Sequence, residues 1–281
     1  MKPSSLEFRH AASVVEAIEI VASFDGVAKY LAGGQTLGPM INLRLAQPDL
    51  IVDISRIEEL RQTAEKNDHL RIGSAVTHAE IEDGRIPDVT QGLMREVASM
   101  IAYRAVRNRG TIGGSLAHAD PSAEWVSSML ALNATVSLRS ADSERRIDVG
   151  ELIYAPMMTT LGIEEIIESI NVPRLSKSAK WGFAKKNRKV GEFASAMAVV
   201  ISDPERKFHS AVVGGHSCTP QRMPETSHSI SESLTWKQGR EKEILRAYEV
   251  DLASSKRVID EYDRHVLGLT LVRAVREALA T

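Results

Sequence analysis

The sequence predicts an α+β protein in two parts that meet near residue 176, and three observations carry this. The first 55 residues alternate strand-like and helix-like segments and close on the apolar run "DLIVDIS". The polar stretch "RLSKSAK" (174–180) has no apolar periodicity and reads as a linker. Beyond it, two short strand-like segments precede a tail of helical character.

Taken in order, "SVVEAIEIVASF" (13–24) places Val14, Ala17, Ile18, Val21 and Ala22 on one helical stripe, with Glu16 and Glu19 off it. "VAKYLAG" then reads as a strand, "QTLGPMINLRLA" as a short helix or turn before Pro48, and "DLIVDIS" (49–55) as a buried strand. That β-loop-α-β order predicts a small α/β lobe. "ELRQTA" and "HLRIGS" flank the polar turn Glu65-Lys66-Asn67-Asp68 and predict a hairpin. From Thr77 the pattern turns helical with a break at Pro87, and "LMREVASMIA" (93–102) is expected to run as helix into a glycine-rich segment. "EWVSSMLALN" (124–133) predicts a helix, "ATVSLRS" (134–140) a strand, and "SADSE" a turn into "RRIDV". After the linker come the strands "ASAMAVVIS" (194–202) and "FHSAVVGG" (208–215), joined by "DPERK". In the terminal helix, Tyr262, Val266, Leu269, Val272 and Leu279 form the expected apolar face.

Composition removes several function classes. With 35 basic and 37 acidic side chains the formal charge is −2, which gives no electrostatic reason to expect nucleic acid or an anionic membrane as partner. Cys218 is the single cysteine, so the chain has no internal disulfide and cannot by itself ligate an iron–sulfur cluster, which needs about four thiolates. Its surroundings, "HSCTPQ", suggest a buried or inert thiol. No apolar run approaches the ~18 residues of a membrane span, and "MKPSSLEFRH" lacks the apolar core of a signal peptide. The expected location is cytoplasmic.

Two glycine pairs carry the chemistry. "AGGQTLGP" (32–39) and "GTIGGSLAHADPSAEW" (110–125) each stand where a helix is about to start. A glycine pair lets the backbone take positive φ and lets a ligand come where a Cβ would block it. Free N–H groups of such a loop and of the following helix end bind phosphate oxygens without a cationic side chain. Gln35, Thr36, Thr111 and Ser115 add neutral donors. Either pair alone reads as simply as an ordinary tight turn; the presence of two raises the question of a shared ligand. Neither is GxGxxG or a P-loop. His118, Asp120 and Glu124 lie at i, i+2 and i+6, which is not a chelating spacing, and no metal site is predicted. The Asp120 and Glu124 carboxylates suit sugar or ribityl hydroxyls; Asp120 also suits a helix N-cap ahead of Pro121. No nucleophile constellation is present, so no catalytic residue is assigned.

"AGGQTLGPMINLRLAQPDLIVDI" and "VRNRGTIGGSLAHADPSAEW", in this order, resemble the FAD-binding medium subunit of molybdenum hydroxylases, the carbon monoxide dehydrogenase and xanthine dehydrogenase family. "EFRHAASVVEAIEIVA", "VVGGHSCTPQRM" and "YDRHVLGLTLVRAVREAL" extend the resemblance over nearly the whole chain. It implies a two-lobed FAD-binding fold of the PCMH type over 1–176, with lobes of about 1–56 and 57–176, and a C-terminal domain of the CO dehydrogenase flavoprotein type over 177–281. By the same resemblance, Lys29, Ala32, Gly33, Gly34, Gln35, Thr36 and Leu37 line the FAD diphosphate from one lobe, and Thr111, Gly113, Gly114 and Ser115 from the other. Asp120 and Glu124 fall near the sugar and ribityl hydroxyls, Ile101 and Leu161 flank the ring system, and Lys185 stands close to its polar edge. Two stretches depart from the family pattern: "LGIEEII" replaces a Pro-Gly-Glu turn, and "AKKNRKVGEFA" lacks the usual aromatic after its lysine. Gln35 occupies the place of the histidine that binds flavin covalently in relatives of the wider fold, which implies non-covalent FAD. The implied role is electron transfer from an iron–sulfur small subunit, itself served by a molybdenum-binding large subunit, through FAD to an acceptor such as NAD, oxygen or a quinone. The molybdopterin cofactor and 2Fe-2S clusters then belong to the partner subunits. An autonomous FAD-dependent reductase on a similar fold is the rival reading, but the last ~100 residues offer no proton donor for it. A flavin-free scaffold is a second rival, against which the intact glycine loops argue.

Overall fold

Residues 14–53 fold as the sequence pattern predicts, and an additional strand over Glu7–His10, all four residues exposed, precedes them. In the computed structural model, which describes residues 2–216, 218–255 and 259–280, strand β1 (Glu7–His10) leads to helix α1 (Val14–Ala22), strand β2 (Ala28–Leu31), helix α2 (Leu37–Asn42) and strand β3 (Leu50–Asp53). The three strands form a parallel sheet in the order β1-β3-β2. Ser13 caps α1 by accepting from the Glu16 N–H, and Val14, Ala17, Ile18 and Val21 are buried as expected, whereas Ala22 is exposed.

A second, antiparallel sheet follows, in the order β4-β5-β10-β6-β7. It comprises β4 (Thr63–Glu65), β5 (His69–Gly73), β6 (Thr135–Arg139), β7 (Glu144–Asp148) and β10 (Ile166–Pro173). Between its strands lie the helices α3 (His78–Glu82), α4 (Leu93–Ser99), α5 (Arg104–Arg107), α6 (Ile112–His118), α7 (Glu124–Ala131) and α8 (Val149–Leu152), and a small hairpin of β8 (Ile153–Ala155) and β9 (Met158–Thr159). The expected helix over 93–102 is corrected here. α4 ends at Ser99, Ala102 takes a left-handed φ of 40°, and α5 begins anew at Arg104. The Arg107 guanidinium holds this turn by donating to the Ile101 and Ala102 carbonyls while it pairs with Glu82.

The third sheet, β11-β12-β13-β14, is antiparallel. It consists of β11 (Lys180–Lys186), β12 (Ala196–Asp203), β13 (Phe208–Gly215) and β14 (Cys218–Arg222), and is followed by α9 (Pro224–Glu232), α10 (Arg240–Ser255) and α11 (Glu261–Leu279). β11 and β14 were not visible in the apolar pattern, since they mix lysines, glycine and proline with few apolar residues. The Cys218 side chain lies outside the described residues. All eight residues of β12 are buried because both faces are covered. Val199 and Ile201 pack with Trp125 and Met129 of the second lobe, while Ala198 and Val200 pack with Leu271, Ala274 and Val275 of α11.

Two further expectations are corrected. The stretch 174–180 is a pinned joint: Leu175 and Ser176 are buried, and Ser176 donates through both N–H and Oγ to the buried Asp203, at 2.8 and 2.6 Å. In α11 the buried face is Leu267, Leu271, Val272, Ala274, Val275, Ala278 and Leu279; of the expected face Val272 and Leu279 are buried and Val266 packs against them, whereas Tyr262 and Leu269 are exposed. Ala274 and Ala278 stand where β11 crosses this helix, and β11 approaches so closely that a Cβ on Gly182 would lie 1.9 Å from the Ala274 carbonyl oxygen. Among the described residues no helix is long and apolar enough to cross a membrane.

This contact makes Gly182→Ala destabilising, since the clash is with backbone. We expect a loss of about 1–3 kcal/mol or more and a fall of several degrees in the melting temperature. A wild-type melt would show that β11 and α11 separate without penalty.

Candidate functional site

The two glycine loops, about eighty residues apart in sequence, touch. A Cβ on Gly33 would lie 2.2 Å from the Arg109 carbonyl oxygen and 2.8 Å from the Gly110 Cα, so only a glycine admits this approach. On the other side of the junction, Ala32 Cβ lies 3.8 Å from where a Cβ on Gly114 would be. The first loop is the corner from β2 to α2. Gly34 sits at φ 72°, which favours glycine, and the backbone N–H groups of Gly34, Gln35 and Thr36 meet no acceptor among the described residues. The Gln35 side chain folds back to donate to the Gly33 carbonyl at 3.2 Å. Lys29, on β2, is exposed, and Leu37 opens α2 half-buried.

The second loop is built differently. Thr111 caps α6, accepting from the Gly114 N–H at 3.1 Å. The Gly113 N–H donates to the Ser74 carbonyl and the Ile112 N–H to the Val76 carbonyl, at 2.9 and 3.1 Å, while the Gly110 carbonyl accepts from the His78 N–H at 2.9 Å. Residues 74–78 therefore splint residues 110–113. The expectation of free N–H groups holds for the first loop and not for the second, which offers the hydroxyls of Thr111 and Ser115 instead.

The remaining expected residues are Asp120, Glu124, Ile101, Leu161 and Lys185. Asp120 is not a helix N-cap. Its carboxylate accepts from the Ser122 N–H at 2.8 Å in a tight turn, and α7 starts after Ala123. Glu124, the first residue of α7, is buried and accepts from Lys185 Nζ of β11 at 2.5 Å. Burial pushes the Glu124 carboxyl above the ordinary carboxylate range, against the pull of the Lys185 ammonium. Lys185 also donates to the Met100 carbonyl at 3.3 Å. Ile101 is buried in the turn after α4, and Leu161, between β9 and β10, packs on the same apolar cluster. The Tyr30 hydroxyl donates to the Glu164 carbonyl at 3.1 Å, joining the first lobe to the segment that carries Leu161, and burial raises its pKa.

Sequence reasoning missed His78 and Trp125 as a pair. The indole Nε1–H of fully buried Trp125 donates to His78 Nδ1 at 3.0 Å. Burial, followed by the positive charge of Arg107, lowers the His78 pKa to about 3. The available signal was "THAE", whose Thr77 and Glu80 form a capping box that starts α3 and presents His78 in its first turn.

Two touching backbone loops, one with N–H groups that meet no acceptor among the described residues and the other with hydroxyls, offer the neutral donors that suit a nucleotide cofactor's diphosphate. Residues 4–175 match the family model for the FAD binding domain in molybdopterin dehydrogenase. The chain belongs to that family. It is 34% identical over 236 residues to the nicotine 6-hydroxylase medium subunit of Paenarthrobacter nicotinovorans, covering 83% of this chain and 82% of the relative. It is 27% identical over 284 residues to the carbon monoxide dehydrogenase medium chain of Afipia carboxidovorans, covering 100% and 99%. Among solved structures, carbon monoxide dehydrogenase from Hydrogenophaga pseudoflava superposes with a TM-score of 0.89 at 27% identity, over 99% of this chain and 98% of that one. The fold is thus the FAD-binding PCMH type, and the chain is an FAD-binding oxidoreductase component of the medium-subunit class.

Gly33→Ala forces the loops apart and Gly34→Val strains the corner by about 1–3 kcal/mol; both should abolish FAD binding. Gly38→Ala, where a Cβ meets nothing within 4 Å, should bind FAD normally. Equal flavin occupancy in all three would reduce the cradle to ordinary turns. Separately, neutral His78 contributes stability that is complete above its unfolded pKa near 6.5 and is lost as pH falls toward about 3. The melting temperature should decline from pH 6.5 downward, and less steeply in His78→Asn; parallel profiles would contradict this.

Proposed function

We propose that this chain is the FAD-bearing electron-transfer subunit of a heteromeric molybdenum hydroxylase, taking electrons from an iron–sulfur partner subunit and passing them through FAD to an external acceptor. The observation that carries the reading is the contact between the two glycine loops, which gives one diphosphate two walls from two lobes. When bound, FAD supplies the redox chemistry. The chain's own residues bind and orient it. The free N–H groups of Gly34, Gln35 and Thr36 donate to phosphate oxygens from one wall, and the Thr111 and Ser115 hydroxyls from the other. Asp120 serves the sugar or ribityl hydroxyls. Ile101 and Leu161 border the ring, and Tyr30 steadies the segment that bears Leu161. Lys185 acts at the polar edge of the ring as half of a neutral pair with Glu124, which limits its net field there.

In this reading residues 1–176 hold the flavin in lobes of about 1–56 and 57–176, and 177–281 form the C-terminal domain. The family match over 4–175 supports that division, as do three main sheets whose strands do not mix across residue 176. Gln35 offers no nucleophile for flavin attachment, so FAD is held without a covalent bond. The single cysteine leaves iron–sulfur clusters to a partner subunit, and the family resemblance assigns the molybdenum cofactor to another.

Acid precipitation should release FAD intact into the supernatant; flavin that stays with the pellet contradicts the inference from Gln35. Purified free of iron and molybdenum, the chain should bind FAD and be reduced by dithionite, yet show no oxidation of aldehydes, purines or other heterocycles with an artificial acceptor. Sustained turnover under those conditions would mean a complete enzyme. Purified from its source, it should bring down an iron–sulfur and a molybdenum-containing subunit.

A further inference from the structure

His78 lies where the second glycine loop is carried. Its ring is so close to Gly110 that a Cβ there would lie 2.8 Å from both Cδ2 and Nε2, and Gly110 is one of the groups on which Gly33 of the first loop rests. His78 as a residue is 5% exposed. A buried imidazole is a poor choice for filling space, because its polar nitrogens lose water. Here one of them has a specific partner: Trp125 donates into Nδ1, so Nδ1 carries no proton and the neutral ring keeps its hydrogen on Nε2, the side that faces Gly110. The backbone of the same residue holds the Gly110 carbonyl through its N–H.

We propose that His78 is a positioning residue for the cofactor cradle: Trp125 fixes its ring in one tautomer and orientation, and the ring sets the position of Gly110 and hence the closeness of the two glycine loops. This rests on the reading that those loops hold the FAD diphosphate. His78 touches no part of the cofactor in this account and acts through Gly110 alone. Loss of the Nδ1 acceptor leaves the Trp125 N–H buried and unpaired, and either ring then relaxes only by moving. An amide oxygen can replace Nδ1 as acceptor, whereas an aliphatic side chain of similar bulk cannot.

The test titrates the flavin-free 281-residue chain with FAD, and in parallel with ADP as a probe of the diphosphate cradle without the ring system. Four forms are compared: wild type, His78→Leu, His78→Asn and Trp125→Phe. His78→Leu should weaken both ligands about tenfold or more, the scale of one buried hydrogen bond. His78→Asn should recover most of that loss, and Trp125→Phe should weaken binding in the same direction as His78→Leu. Equal affinity in the Leu and Asn variants, or wild-type affinity in both His78→Leu and Trp125→Phe, overturns the proposal. If His78→Leu does not fold, Asn near wild type beside a weakened Trp125→Phe supports the proposal, and wild-type affinity in both overturns it. A wild-type chain that binds no FAD overturns the functional reading itself, an outcome distinct from unchanged affinity among the variants.

Discussion

The close approach of Gly33 to the Arg109 carbonyl is the constraint on which the candidate site depends. Two loops from different lobes reach van der Waals contact there only because neither carries a side chain in the gap. The approach brings a corner with unpaired backbone donors beside a helix start rich in hydroxyls. Such a surface attracts phosphate through oriented dipoles and without fixed charge, consistent with a chain whose formal charge is −2.

Each loop is held by a different device. The first is a left-handed corner stabilised by its own Gln35 side chain. The second is splinted by residues 74–78 along its backbone and rests on His78 beneath Gly110. Near it, the turn at 100–102 has all three carbonyls met by cationic donors, Lys185 at Met100 and Arg107 at Ile101 and Ala102. Each cation is neutralised in turn, Lys185 by Glu124 and Arg107 by Glu82. The Lys185–Glu124 pair is buried, and removing one member of such a pair costs about 3–5 kcal/mol.

One of these pairs, Lys185 with Glu124, also ties the C-terminal sheet to the flavin-binding part. β12 is covered by the second lobe on one face and α11 on the other, Ser176 is bonded to Asp203 across the joint, and Lys185 reaches Glu124 from β11. Apolar burial supplies most of the adhesion here, and the polar pairs select one orientation within it, since a shifted sheet would leave buried charges unpaired.

Much of this was determined by the sequence alone. The stripe of α1, the apolar β3 and the strands β12 and β13 are local patterns, and the two glycine loops with their hydroxyl neighbours raise the question of a shared phosphate ligand, which the family resemblance turns into an FAD site. Other features were decided by tertiary structure. The end of α4 at Ser99 depends on Arg107 reaching back to the carbonyls of the turn, and the buried face of α11 depends on how closely Gly182 admits it; neither is encoded in apolar periodicity. Lysine-bearing β11 is a strand because β12 pairs with it. His78 and Trp125, 47 residues apart, become partners only when α3 and α7 meet. Local sequence determines what a backbone segment prefers and which chemical groups it offers. Which groups are buried together, and therefore which must be paired, is determined only when distant segments exclude water from the space between them.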